Sequence, residues 1–289
     1  MNSISIKILF IISFIIPGLF SYGQNGDNII NLQKEENILK SYFDSVATLQ
    51  SDRRKEKYNN KILKKLRNIL KYEESFHYSF DSIEHAGILF SSDNRVKLYN
   101  WNLPYNGGYH EYFCFIQYKK NKKNDLKLFE LADKSNKIKK PEEKTLNSEK
   151  WYGALYYRMI AIEGRGNQRY YTLLGYDPND FLTNKKIIDV LYFKNDLSPV
   201  FGAPIFKNRR NTQHRIIFEY SEFATMMLRY DESKEMIVYD HLAPSEPKYE
   251  GQFEFYGPDF SYDGLKYEKG IWNTYFDLDL RLNNINFNN

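Results

Sequence analysis

Several things are scarce in this chain of 289 residues. It holds a single cysteine, Cys114, so no intramolecular disulfide and no four-cysteine zinc site can form. The five histidines, at 77, 85, 110, 214 and 241, are scattered, and no His-Glu-x-x-His pair of ligands occurs. No Gly-x-Ser-x-Gly elbow is present, which argues against an α/β-hydrolase nucleophile. Gly164-Arg-Gly166-Asn-Gln-Arg169 lacks the third glycine of a dinucleotide-binding loop and falls between two strand-like runs, so no nucleotide, nucleic acid or cofactor is expected. Long apolar runs are absent after residue 20. The first such run, 8–20, follows Lys7, is broken by Ser13 and Pro17, and is shorter than the roughly 20 residues a membrane helix needs. With Ser21 and Gly23 as small residues before a cut, residues 1–23 read as a signal peptide, Gln24 as the mature start, and no transmembrane segment follows.

What is abundant is aromatic: 25 Tyr, 21 Phe and 3 Trp make up 17% of the chain, a bias that suits pleated, half-buried strands. Residues 24–74 form the exception. Leu39, Tyr42, Phe43, Val46 and Leu49, then Tyr58, Ile62, Leu63, Leu66, Ile69 and Leu70, recur at spacings of three and four, which predicts a basic helical hairpin with Ser51-Asp52 at the start of its second helix. From residue 75 to the end, short aromatic and β-branched runs alternate with turn residues. Strands are expected at 87–90, 96–101, 109–118, 155–162, 169–176, 187–193, 215–220, 225–230, 235–241, 252–256 and 271–277. The fold class is therefore mainly β: an antiparallel meander, closed as an open or curved sheet, a sandwich or a small propeller, behind an N-terminal helical hairpin. Residues 119–140 hold nine lysines and suggest an edge strand followed by a Lys-rich linker at about 132–147. Phe90-Ser-Ser-Asp93 before 96–101 is echoed by Arg229-Tyr-Asp231 before 236–240.

Five stretches carry a resemblance: Trp151-Tyr-Gly-Ala-Leu-Tyr-Tyr157, Tyr171-Thr-Leu-Leu-Gly-Tyr-Asp177, Pro199-Val-Phe-Gly-Ala-Pro-Ile-Phe206, Met236-Ile-Val-Tyr-Asp-His-Leu-Ala-Pro244 and Tyr256-Gly-Pro-Asp-Phe-Ser-Tyr-Asp263. Together with 89–101, they resemble a family of uncharacterised exported proteins of Bacteroidota. The resemblance implies export to the periplasm or cell envelope and implies no activity.

Candidate sites are few. Cys114 and His110, four apart on a strand, would lie roughly 13 Å apart and cannot act as a dyad. Asp177-Pro-Asn179-Asp180 gathers oxygen atoms but reads as a turn. Asp240-His241, near Asp259 and Asp263 in sequence, is the most suggestive acid–base grouping, although neighbouring strand residues face opposite ways. Tyr105, Tyr109, Trp151 and Tyr262 sit at expected loop ends and are candidates for stacking on a ligand. Charge is polarised. Residues 218–289 carry 14 acidic and 6 basic groups, a net of −8; omitting Lys7, the rest carries 34 basic and 23 acidic, a net of +11. Such polarity suits orientation on an acidic surface, association between copies, or docking of the basic helices on the acidic C-terminal strands, the last needing no partner. The expectation is a binding or structural module whose partner is a glycan or an envelope protein, with a glycan hydrolase using Asp240, Asp259 and Asp263 as the alternative.

Overall fold

The computed structural model describes residues 22–120, 125–164, 166, 168–207 and 211–280. The expected signal peptide lies outside the described residues as far as residue 21. Two helices, α1 (Tyr22–Thr48) and α2 (Asp52–Ile69), are joined by a three-residue connection, which makes the expected hairpin. No described helix is long and apolar enough to cross a membrane. Among the described residues the strands form three sheets. The first is a four-stranded meander of β1 (Gly87–Phe90), β2 (Val96–Pro104), β3 (His110–Lys119) and β4 (Leu126–Ala132). The second contains β5 (Leu146–Asn147), β6 (Leu155–Glu163), β7 (Arg169–Asp177), β8 (Thr183–Phe193) and β9 (Pro199–Phe201). The third holds β10 (Phe206–Lys207) and β11 (Thr212–Gln213); β12 (Ile216–Ser221) then returns to pair with β8. The third sheet continues through β13 (Leu228–Asp231), β14 (Met236–Pro244), β15 (Tyr256–Glu268) and β16 (Ile271–Tyr275). All pairs are antiparallel except β10 with β16, so the third sheet is mixed.

Alternation along the strands explains how these pieces stack. On β2 and β3, Tyr99, Trp101, Leu103 and Phe115 pack with Leu39, Phe43, Ile62 and Leu66 of the helices. The intervening Val96, Leu98, Cys114 and Ile116 pack with Tyr156, Tyr171, Leu173 and Ile187 of the second sheet. The other face of that sheet, through Leu174, Ile188 and Val190, meets Leu228, Ile237, Leu265 and Trp272 of the third. The result is four layers: helices, first sheet, second sheet, third sheet. The two middle layers are covered on both faces, which is why β2 and β8 are buried almost throughout rather than at every second residue.

Two expectations change. The basic helices pack on the first sheet, through apolar side chains, and not on the acidic C-terminal strands; hydrophobic burial outweighs the screened attraction of surface charges. The Lys-rich stretch at 132–147 is built into the molecule. It forms two short 3-10 turns, buries Ile138 and Leu146 in the core between the first two sheets, and gives the Pro141 and Lys144 carbonyls to Arg215. Its lysines hid two apolar anchors. The echo noted in the sequence is a pair of like hairpins, β1–β2 and β13–β14, whose turns are held by Asp93 and Asp231 carboxylates accepting from a nearby serine.

Beneath the helices Lys97 is buried, its ammonium held by the Ser75 and Tyr78 carbonyls and facing the rings of Phe80 and Tyr99. Burial lowers its pKa to about 8, against an opposing pull from Asp81. The unfolded chain thus keeps this proton up to an ordinary lysine pKa, while the folded chain releases it earlier. The Lys97 contribution to stability is therefore expected to rise between pH 8 and 10, by on the order of 2 kcal/mol. The buried Cys114 thiol, pushed up by burial, contributes a fall in the same range, because the unfolded chain loses that proton first. Above pH 10 Tyr78, pushed up to about 12 chiefly by burial, adds to the fall, since it favours the folded state only while protonated. The difference in stability between wild type and Lys97→Met, from urea midpoints across this range, isolates the Lys97 contribution and should grow with pH; a difference that does not change with pH would show that Lys97 keeps an ordinary pKa.

Candidate functional site

A cleft of about 600 Å³ opens at one end of the first two sheets, between the β2–β3 loop, the turn after β4 and the β7–β8 loop. Its mouth is formed by Tyr105 and Tyr109, which stack at 4.5 Å between ring centroids and 10° between planes. The loop is closed by Tyr105 donating its N–H to the Tyr109 carbonyl and by Gly108 donating back to Tyr105. Gly108 takes a φ of +81°, and a side chain there would stand 2.4 Å from the ring of Phe181. The helical connection braces the same loop from below: the Asp52 carboxylate accepts the Asn106 N–H at 3.2 Å, and the Asn106 side chain donates to the Gln50 carbonyl. Asp52 is thus partly occupied by the tyrosine loop, and Ser51 makes no side-chain cap bond on α2.

The floor is organised around Tyr112. Its N–H donates to Asp133 Oδ2 at 3.1 Å, and its hydroxyl donates to Asp177 Oδ1. Asp133 Oδ1 also accepts from the N–H and hydroxyl of Ser135, whose oxygen in turn accepts the Gly153 N–H. Asp177 Oδ1 accepts the Asn179 N–H as well, while Asp180 accepts from Leu182 and Thr183, so the Asp177–Asp180 oxygens serve the turn expected there. Among the described residues, no three of His, Cys, Asp and Glu gather as metal ligands would. Burial raises the pKa of Asp177, opposed by the Tyr112 hydroxyl and Lys185. Burial likewise pushes the Tyr112 and Tyr152 phenols up, so both are neutral donors at ordinary pH. His110, lowered by burial and then by Lys55, takes a hydrogen bond from the Asn102 amide on Nδ1, which leaves the neutral ring's proton on Nε2.

With those bonds made, the cleft still offers groups to a ligand. Lys134 and Lys137 make no ion pair, and the Tyr152 hydroxyl makes no hydrogen bond, among the described residues. Lys185 donates to Asn179 Oδ1 at 2.7 Å, and Asp177 Oδ2 is left as an acceptor. The arrangement presents neutral and charged donors, a spare acceptor and an aromatic rim. It presents no activated nucleophile: the Ser135 hydroxyl is committed to Asp133, and Cys114 is fully buried with its thiol pushed up by burial.

Of the residues chosen from sequence, Tyr105 and Tyr109 line this cleft. Trp151 does not. It is 0% exposed, its indole donating to the Tyr156 hydroxyl, because the segment leading into β6 runs through the core between the first two sheets rather than ending at a loop. Asp240, His241, Asp259, Asp263 and Tyr262 lie far along the chain, on β14 and β15. A register shift at 240–242 breaks the strict alternation, so Asp240 turns to accept the Met227 N–H at 2.7 Å while His241 Nδ1 meets Asp259 Oδ2 at 2.8 Å on the surface. Asp259 is also bound by Ser261, and Asp263 is buried and accepts the Asp277 N–H. Tyr262 is half-buried beside an open, shallow depression with Phe260 and Leu278. The sequence reading missed Tyr112, Asp133, Tyr152 and Lys185. Asp177 and Asn179 had a visible signal, the turn-forming run, but nothing in the sequence placed it against Tyr112, 65 residues away.

Compared with protein-family models, with curated proteins and with solved structures, the chain finds no match.

Proposed function

We propose that this chain is an exported envelope module that binds a glycan without cleaving it, and that the Tyr105–Tyr109 cleft is where it binds. The observation that carries this reading is the stacked tyrosine pair at the mouth of a polar cleft. Sugar rings present C–H faces to aromatic planes and hydroxyls to lysine, phenol and carboxylate groups, and the cleft supplies both kinds of contact. Hydrolysis has less support. It requires one carboxyl free to give a proton and a second free to attack or to activate water. In the cleft Asp177 keeps one free oxygen, but Asp133 is bound on both and Glu111 accepts from the Tyr105 hydroxyl; outside it Asp240 accepts from Met227, Asp259 from Ser261 and Asp263 from Asp277.

Titration calorimetry of the purified protein against tri- and hexasaccharides of β-1,4-xylose, β-1,4-glucose and β-1,3-glucose tests the proposal. One series is expected to bind without being shortened. Tyr109→Ala should weaken that binding roughly 3–10-fold, the worth of one aromatic contact. Because Tyr109 is exposed, the variant should melt with the wild type. Binding that is indifferent to Tyr109, or chromatography showing cleaved sugar, would refute it.

A further inference from the structure

The cleft has an aromatic continuation. Phe181 is 64% exposed, Leu182 62% and Phe223 96%, and Tyr109 at the cleft mouth is 57% exposed. These side chains lie on three loops that touch in sequence. The Phe181 ring covers Gly108, the residue before Tyr109. The Leu182 carbonyl accepts the Glu222 N–H at 2.9 Å, which fixes the loop carrying Phe223 beside it. The loop with Phe181 also supplies Asn179 to the cleft wall. The loops are held from within as well: Asn179 donates to Thr183, Thr183 donates to Glu219, and the Phe223 N–H reaches the Ser221 hydroxyl.

We propose that Phe181 and Phe223 extend the Tyr105–Tyr109 cleft into a binding ridge for a polysaccharide chain, so that the ligand is a polymer longer than the cleft itself. The inference rests on the glycan reading of the cleft and adds the length of its ligand. The Phe181 loop touches that of Tyr109 and is hydrogen-bonded to that of Phe223, so on this reading a continuous chain leaving the cleft past Tyr109 reaches Phe181 and then Phe223. Single aromatic rings set on separate braced loops suit successive sugar rings, which present C–H faces to aromatic planes. A protein contact would instead be expected to gather its aromatics into one packed, desolvated centre.

The test uses the full protein, with trisaccharides and their parent polysaccharides (xylan, hydroxyethyl cellulose and laminarin) as probes in parallel titrations. In the series that binds, Phe181→Ala and Phe223→Ala should each weaken the polysaccharide roughly 3–10-fold and leave the trisaccharide unchanged, while Tyr109→Ala weakens both. Phe223→Ser, at a position without packing partners to lose, should reproduce Phe223→Ala and melt with the wild type. If Tyr109→Ala weakens binding and neither ridge variant affects the polysaccharide, the ridge is excluded and the cleft stands. If no saccharide binds, both proposals fall. If sedimentation shows a dimer that Phe223→Ala dissociates, the ridge is a contact between copies of this chain, which also overturns the inference.

Discussion

Asp189→Ala is expected to remove about 3–5 kcal/mol of stability, the cost of leaving one partner of a buried ion pair alone. Asp189 and Arg215 are both fully buried, with Arg215 Nε 3.2 Å from Asp189 Oδ2. The aspartate also accepts the Val190 N–H at 2.8 Å and is approached by the Tyr156 hydroxyl at 3.4 Å. The guanidinium reaches the Pro141 and Lys144 carbonyls through Nη1, while neither its Nε nor its Nη2 makes a hydrogen bond. Asp189 is its only ion-pair partner among the described residues. Urea unfolding should show a clearly lowered midpoint, since the loss is a large fraction of the about 5–15 kcal/mol that native proteins possess. Asp189→Leu combined with Arg215→Met should recover most of the loss, since the desolvation cost disappears with both charges. A single variant within 1 kcal/mol of wild type would mean that water reaches the guanidinium.

Trp101→Ala should cost a similar amount, about 3–5 kcal/mol, by opening a cavity between the helices and the first sheet. The indole lies edge-on to Phe43 of α1 at 5.6 Å and stacks on Phe113 of β3 at 5.5 Å. Its N–H donates to Asn59 Oδ1 of α2 at 2.7 Å. Both helices and two strands thus meet at one side chain, and the substitution also leaves buried Asn59 without its donor. Circular dichroism at 222 nm, which follows the helices, should lose signal at lower urea than in the wild type. Trp101→Phe, which keeps the ring and loses the N–H, should retain more than half of the stability that Trp101→Ala removes. If Trp101→Ala leaves the helical transition unmoved, the hairpin is held elsewhere, and Lys55 bonded to the Pro104 carbonyl is the next contact to break.

Local pattern identified most elements because each signal is spent within a few residues. Helical spacing from Leu39 to Leu70 identified both helices, and the turn residues between the runs at 96–101 and 109–118 separated β2 from β3. The longest strand, β15, was assigned only at its first residue: Gly257, Pro258 and Gly264 read as loop, and pairing with β14 and β16 supplied what propensity did not. The run at 252–256 is mostly a 3-10 turn, since Phe253 and Phe255 remain partly exposed rather than alternating into a core. The carboxylates singled out near residue 240 are close in sequence but are taken up by neighbouring N–H groups. The cleft draws Tyr105, Tyr112, Asp133, Tyr152 and Asp177 from four separate stretches of the chain.

The sequence by itself determined the element types, the mainly β class and the helical hairpin, because periodicity and turn chemistry act over a few residues. Only the tertiary structure decided which face each strand turns to which layer, that Trp151 and the Lys-rich stretch belong to the core, and that Tyr105 and Asp177 share a cleft. Those outcomes depend on contacts made by strands 20 to 100 residues apart. Such contacts follow from how much apolar surface each packing arrangement removes from water, a quantity that no local run of residues contains.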